Sequence, residues 1–269
     1  MRRVESGMRV GVISGSGTYT WSGLSEPRAD TVDTPYGAVE LTVGRSGAVE
    51  IVHLSRHGPG HRRLSNHVSH RANIAALVRA GVDCIISATV CGAVVSSVPL
   101  GSLLVFDDLY FPSNRLPDGS LCTWHDADGG PERGHWIFDE PFSPDLRAAL
   151  LSAARSLGVP VGEGCYGHVD GPRFNTRREI AALAELGVTA VSQTAGPEAV
   201  LAGEAGVPLA VVGFVTDHAN GVADPEPVAA LAGRIEQSGS VFAGVIAATV
   251  ADLGPVSAPG SFYRFESGS

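Results

Sequence analysis

Three histidines stand four residues apart in HLSRHGPGH, at His53, His57 and His61, and His67 and His70 follow shortly after. Imidazoles at that interval can share one helical face and hold a divalent cation. Gly58-Pro59-Gly60 excludes the helix, because Pro and Gly do not sustain one. The residues before the break, AVEIVHL at 48–54, are predicted to form an apolar strand ending near Ser55. Arg56 and His57 therefore leave a strand end and enter a loop, so a function at a strand end is the better reading. GVISGSGTY at 11–19 places glycines and hydroxyls after another strand, a pattern that cradles phosphate or makes a tight turn. It is a poor dinucleotide fingerprint, since Thr20 falls where the third glycine belongs, and the chain has no lysine for a Walker A loop. Asp217 in VTDHANG ends a buried-looking strand, where desolvation raises a carboxyl's pKa; an aspartate there also serves as a turn or cap residue. Phe174, in the polar turn GPRFN, is placed to face a flat ligand, although an aromatic can equally be core.

Positioning such groups requires strands whose ends gather in one place. Short β-branched runs at 8–14, 48–54, 83–90, 102–108, 189–194 and 208–217 read as strands. Segments 70–81, 143–158, 175–187, 196–206 and about 227–253 carry helical spacing, with Ser143 and Asn175 as N-caps and Gly158 as a stop. This alternation predicts an α/β fold: a single-domain mixed central β-sheet flanked by helices on both faces, with ligands gathering at strand ends. The polar stretch from Tyr110 to Glu140 is long enough to be a functional loop or an interaction arm.

At 269 residues the chain can bury the core of one large domain, so 1–269 is read as a unit with flexible ends at about 1–8 and 254–269. Nineteen basic against 28 acidic residues, a net charge of −9, exclude broad attraction to nucleic acid or to an anionic membrane. Any bound anion must be held locally. Cys84, Cys91, Cys122 and Cys165 form no CxxC pair, and no run reads as a signal peptide or membrane span, so a reducing cytoplasm is expected.

Eight segments in order carry a resemblance: GVISGSGTY, DTPYGAVE (33–40), SRHGPGH (55–61), VSHRANIAAL (68–77), SATVCGAV (87–94), GHVDGPRFNTRRE (167–179), QTAGPEAVLAGEAG (193–206) and VTDHANG (215–221). Together they resemble the trimeric purine nucleoside phosphorylases, most closely the 5′-methylthioadenosine phosphorylase branch. The resemblance implies a nucleoside phosphorylase-like fold and phosphorolysis of a purine nucleoside, with inorganic phosphate as co-substrate and neither cofactor nor metal. It implies phosphate binding by Ser16, Arg56, His57, Thr89 and Thr194, with His57 and Asp217 as the catalytic pair. It further implies a nucleoside site of Val90, Cys91, Phe174, Gln193, Asp217 and Ala219, completed by His135 from a neighbouring subunit of a homotrimer. Read by itself, Cys91 is a packing residue. Three positions depart from the family: His70 stands for Tyr, Gln193 for Met, and Ala219 for the second Asp of adenosine-specific members. The alternatives are a 6-oxopurine nucleoside phosphorylase and a non-catalytic nucleoside-binding homologue.

Overall fold

The computed structural model describes residues 7–21, 23–128 and 133–265 of the 269. Its frame is a nine-stranded sheet. The parallel heart consists of β1 (Arg9–Ser14), β4 (Val49–Ser55), β5 (Cys84–Ala93) and β10 (Leu209–His218). β6 (Leu103–Tyr110), β8 (Val161–His168) and β9 (Val188–Ser192) continue from β10. β9 returns to the end of β5, so β5, β10, β6, β8 and β9 close a ring. On the other side, β2 (Ser25–Thr34) and β3 (Gly37–Ser46) extend the sheet beyond β4 as an antiparallel hairpin.

The central strands are apolar at nearly every position because both faces are covered, as parallel sheets require. In β1, Val10 and Val12 join one core and Ile13 the other; in β10, Val212 and Phe214 oppose Val211 and Val215. One core is closed by α2 (Pro144–Ser156) and α5 (Val228–Ala251), through Leu146, Leu150, Phe242 and Ile246. The other is closed by α1 (His70–Arg79) and α4 (Ala195–Glu204), through Ile74, Leu77, Ala199 and Leu201. α3 (Arg177–Glu185) covers β9 with Ile180 and Leu183.

Every predicted strand and helix has a counterpart, with ends shifted by a few residues. Ser143 caps α2 by accepting from the Leu146 N–H, and Gly158 follows it at φ +69°. The cap of α3 is Thr176 instead of Asn175, in a reciprocal box with Glu179. Five strands escape the apolar-run reading. β2, SEPRADTVDT, is almost wholly exposed and polar, and β3 follows it through a turn at TPYG; that motif belongs to the hairpin and not to the cavity described below. β8, VGEGCYGH, carries three glycines and no apolar run. β7 (Gly134–Phe138) lies in the polar arm and pairs with β11 (Gly260–Arg264). The tail expected to be flexible at 254–269 thus includes a paired strand, because Trp136 and its neighbours supply it with a partner. Residues 1–6 and 266–269 of the expected flexible ends, and 129–132 of the arm, lie outside the described residues.

Candidate active site

β1, β4, β5 and β10 run parallel, so their C-terminal ends open on one side, and a cavity of about 310 Å³ sits there. After β1, the Thr18 N–H donates to the Gly15 carbonyl at 3.2 Å, turning the chain so that Ser16 lines the cavity. Gly17 makes the turn at φ +80°, packed so closely on α5 that a Cβ there would lie 2.3 Å from the Ile235 carbonyl oxygen. Thr89 on β5 reaches the cavity and bonds Ser192 Oγ at 2.9 Å. Thr194, the N-cap of α4, also lines it; its hydroxyl caps nothing, while Tyr166 Oη accepts from the Thr194 and Ala195 N–H groups.

His57 lines the same end of the cavity, where its Nδ1–H donates to the Arg63 carbonyl at 2.8 Å. A carbonyl only accepts, so the neutral ring presents a bare Nε2 lone pair, and the N–H expected for the anion is already committed. Burial, reinforced by the Arg56 charge, lowers the His57 pKa to about 4. The ring stacks on His61 at 4.1 Å, and Tyr19 Oη holds His61 Nδ1 at 3.1 Å. The remaining histidines disperse: His53 bonds Ser14 Oγ at 2.7 Å, His67 is exposed and His70 is buried in α1. Among the described residues no three His, Cys, Asp or Glu side chains converge as a metal site requires.

Arg56 departs from its expected place. Its side chain is 0% exposed and is absent from the cavity lining. Nε and Nη2 fork onto the Glu198 carboxylate at 2.6 and 2.8 Å, Nη1 donates to the Ala88 carbonyl, and Nη2 also donates to Ser87 Oγ. The guanidinium lies directly beneath the first loop, since a Cβ on Gly15 would come within 2.7 Å of Nη1. The chain thus lays a buried, neutralised cation under the hydroxyl-lined end of the cavity. Glu198 escaped the sequence reading; its signal is an acid in the first turn of AGPEAVLAGE, between apolar residues that α4 buries, whereas Glu204 stands at the helix end.

At the other end stands Asp217. A register shift between Val215 and Asp217 against β5 breaks the strand's alternation and turns this carboxylate toward the cavity. Gly92 leaves room for it, a Cβ there falling 3.2 Å from Oδ2. Oδ1 accepts from Thr216 Oγ1 at 2.7 Å, and burial raises the carboxyl pKa. Val90, Cys91, Ala219, Phe174 and Gln193 line the cavity as well, Phe174 with 65% of its surface exposed. Cys91 is also a packing group, its thiol on the Phe214 carbonyl and its pKa pushed up by burial. Leu231 and Ile235 of α5 supply an apolar wall that sequence reasoning missed, because a helix near the C-terminus carries no polar marker of its inward face. His135 is exposed on β7, against Phe265, and does not line this chain's own cavity.

A hydroxyl-lined end over a buried, neutralised cation thus faces a half-buried carboxyl across a partly apolar slot, a polarity suited to stabilising charge at both ends of a reacting substrate. The Phosphorylase superfamily profile matches residues 9–251, and the chain belongs to that family. It is 39% identical, over 80% of each chain, to the probable 6-oxopurine nucleoside phosphorylase of Thermococcus kodakarensis. It is 35% identical to the S-methyl-5′-thioadenosine phosphorylase of Caenorhabditis briggsae, over 78% of this chain and 74% of that one. A solved structure of methylthioadenosine phosphorylase from Schistosoma mansoni, in complex with adenine, superposes with a TM-score of 0.82 over 91% of both chains at 27% identity.

Proposed function

We propose that the protein cleaves a purine nucleoside by phosphorolysis, its substrate being 5′-methylthioadenosine or another 5′-modified 5′-deoxyadenosine. The observation that carries this reading is the polarity of the cavity, with anion donors at one end and the half-buried carboxyl of Asp217 at the other. Inorganic phosphate binds to the hydroxyls of Ser16, Thr89 and Thr194, its own P–OH donating to His57 Nε2. The Arg56–Glu198 pair supports that end from beneath. A phosphate oxygen then bonds to C1′ of the sugar as the C1′–N9 bond breaks, through an oxocarbenium-like centre. The electron pair leaves with the base, and the Asp217 carboxyl delivers a proton to N7. Phe174 packs on the purine, and the Leu231 and Ile235 wall favours an apolar 5′ substituent over a free hydroxyl.

His135 serves a neighbouring subunit's cavity in a homotrimer, which its exposed place on the arm supports and which light scattering measures directly. The four cysteines, all free thiols, fit a cytoplasmic enzyme of purine salvage. Among the described residues no helix is long and apolar enough to cross a membrane.

Ala219 favours a second reading, a 6-oxopurine substrate, since it offers no acceptor for an exocyclic amine. A panel of nucleosides assayed with and without phosphate tests both. Purine release is expected only with phosphate, and faster from 5′-methylthioadenosine than from inosine; equal release in phosphate-free buffer would sink the phosphorylase reading. Asp217→Asn, which cannot donate an acidic proton, is expected to slow turnover by roughly 10²–10⁴-fold. The same change should move kcat/KM from 5′-methylthioadenosine toward inosine, because an amide N–H also bonds a 6-keto group. A fixed ratio would remove Asp217 from base recognition.

A further inference from the structure

Gln193 is held on two sides before any ligand arrives. Its Nε2 donates to the Arg173 carbonyl at 3.1 Å, and its Oε1 accepts from Ser65 Oγ at 2.7 Å. The carbonyl can only accept, which fixes which end of the amide is nitrogen and makes Ser65 the donor. Gly171 packs directly on this pair, since a Cβ there would lie 2.0 Å from Gln193 Oε1 and 2.1 Å from Ser65 Oγ. No side chain fits at Gly171 while the bond exists. Ser65 and Gln193 both line the nucleoside cavity, and both also line a second, polar cavity of about 260 Å³ that contains His70 and His168. The hydrogen-bonded pair is therefore a partition between two polar spaces, built from side chains with capacity to spare. Oε1 retains a second lone pair and Nε2 a second hydrogen.

A nucleoside spanning the cavity places its base between Phe174 and Asp217 and its anomeric carbon above the anion donors. Gln193 immediately precedes one of those donors, Thr194, and follows Ser192, whose hydroxyl bonds another, Thr89. The sugar group nearest the attacking phosphate is the 2′-hydroxyl, on the carbon next to C1′. We propose that Gln193, held by Ser65, reads the 2′-hydroxyl of the sugar and makes the enzyme selective for ribonucleosides over 2′-deoxyribonucleosides. This rests on the phosphorolysis reading above and adds a sugar requirement to it. A tethered amide loses little rotamer freedom on binding, so its contact with the hydroxyl is not offset by ordering, and a 2′-deoxy sugar leaves it unmatched. Gln193 is the group that touches the sugar, and Ser65 is a positioning residue.

The test compares kcat/KM at saturating phosphate for adenosine, 2′-deoxyadenosine and 3′-deoxyadenosine in wild type, Gln193→Met and Ser65→Ala. A 2′-deoxy sugar is intrinsically easier to cleave, because it lacks the electron-withdrawing oxygen beside the cationic carbon. Comparing wild type with variant cancels that effect. Gln193→Met is expected to lower the adenosine to 2′-deoxyadenosine ratio by roughly 10- to 100-fold. Ser65→Ala should lower it less, mainly through the KM of the ribonucleoside, while the ratio to 3′-deoxyadenosine changes little in either variant. An unchanged 2′ ratio in Gln193→Met overturns the proposal, as does a shift confined to the 3′-deoxy substrate. If none of the three, all with a free 5′-hydroxyl, is cleaved, the phosphorolysis reading is judged separately on 5′-methylthioadenosine with and without phosphate. Calorimetric Kd values for adenosine and 2′-deoxyadenosine then decide the sugar proposal: the same change of ratio on mutation supports it, and a constant ratio or no binding overturns it.

Discussion

Arg56 and His57 are adjacent in sequence and opposite in circumstance. Arg56 is wholly buried and faces Glu198, while His57 lines the cavity and is kept neutral by burial and by its neighbour's charge. Replacing one member of a buried, bidentate pair leaves the other charge without compensation in a poor dielectric. Glu198→Gln is therefore expected to destabilise the fold by about 3–5 kcal/mol, read from the urea midpoint at constant m-value. It should also raise the KM for phosphate, because Arg56 lies beneath the loop that carries Ser16. A variant as stable as wild type would show that the pair is dispensable. Arg56 was recognisable as an anion-type residue from its motif; its partner was not, since Glu198 lies 142 positions away.

The site depends on how α5 meets the loop after β1. Ile235 both lines the cavity and presents its carbonyl to Gly17, so one helix forms the apolar wall and seats the turn that carries Ser16. Gly17→Ala combines a left-handed φ with a Cβ at 2.3 Å from backbone oxygen, and neither can be relieved by a rotamer change. The expected outcome is a cost of about 1–3 kcal/mol together with a rise in KM for both substrates, because loop and helix must separate. Steady-state kinetics and thermal unfolding of the same variant report the two parts. A rise in phosphate KM alone would mean that α5 does not shape the nucleoside end. The glycine was visible in GSG as a turn former and the helix in its spacing, but the packing of one on the other was not.

Across the whole molecule, burial lowers the pKa of His53, His57 and His70 to about 4, and that of His168 to about 3. In the unfolded chain each titrates near 6.5. Between about pH 6.5 and 4 the unfolded state binds more protons, so stability rises with pH across that window. This contribution is full above about 6.5 and is lost as pH falls toward 4. Protonation of Glu198, whose carboxyl the Arg56 charge holds below the usual range, acts in the same direction at lower pH. Differential scanning calorimetry is expected to show Tm falling by several degrees between pH 7 and 5. A flat Tm over that range would mean that the buried imidazoles take up protons as readily folded as unfolded.

What the sequence determined by itself is local. Short, mostly apolar and β-branched runs announced the central strands, 3.6-residue spacing announced the helices that cover them, and Gly58-Pro59-Gly60 ruled out a helical histidine ladder. Donor types at strand ends announced an anion site, and most of those donors do line one cavity. The polar strand β2 and the short, mostly exposed β7 carried no such pattern, because each is paired to a neighbouring strand without a fully buried face. Only the tertiary structure decided that Arg56 supports the anion end from below, that a register shift turns Asp217 inward, and that Ser65 fixes the amide of Gln193. Each of those depends on groups far apart in the chain, whose meeting is set by sheet closure and helix packing, and local periodicity carries no information about it.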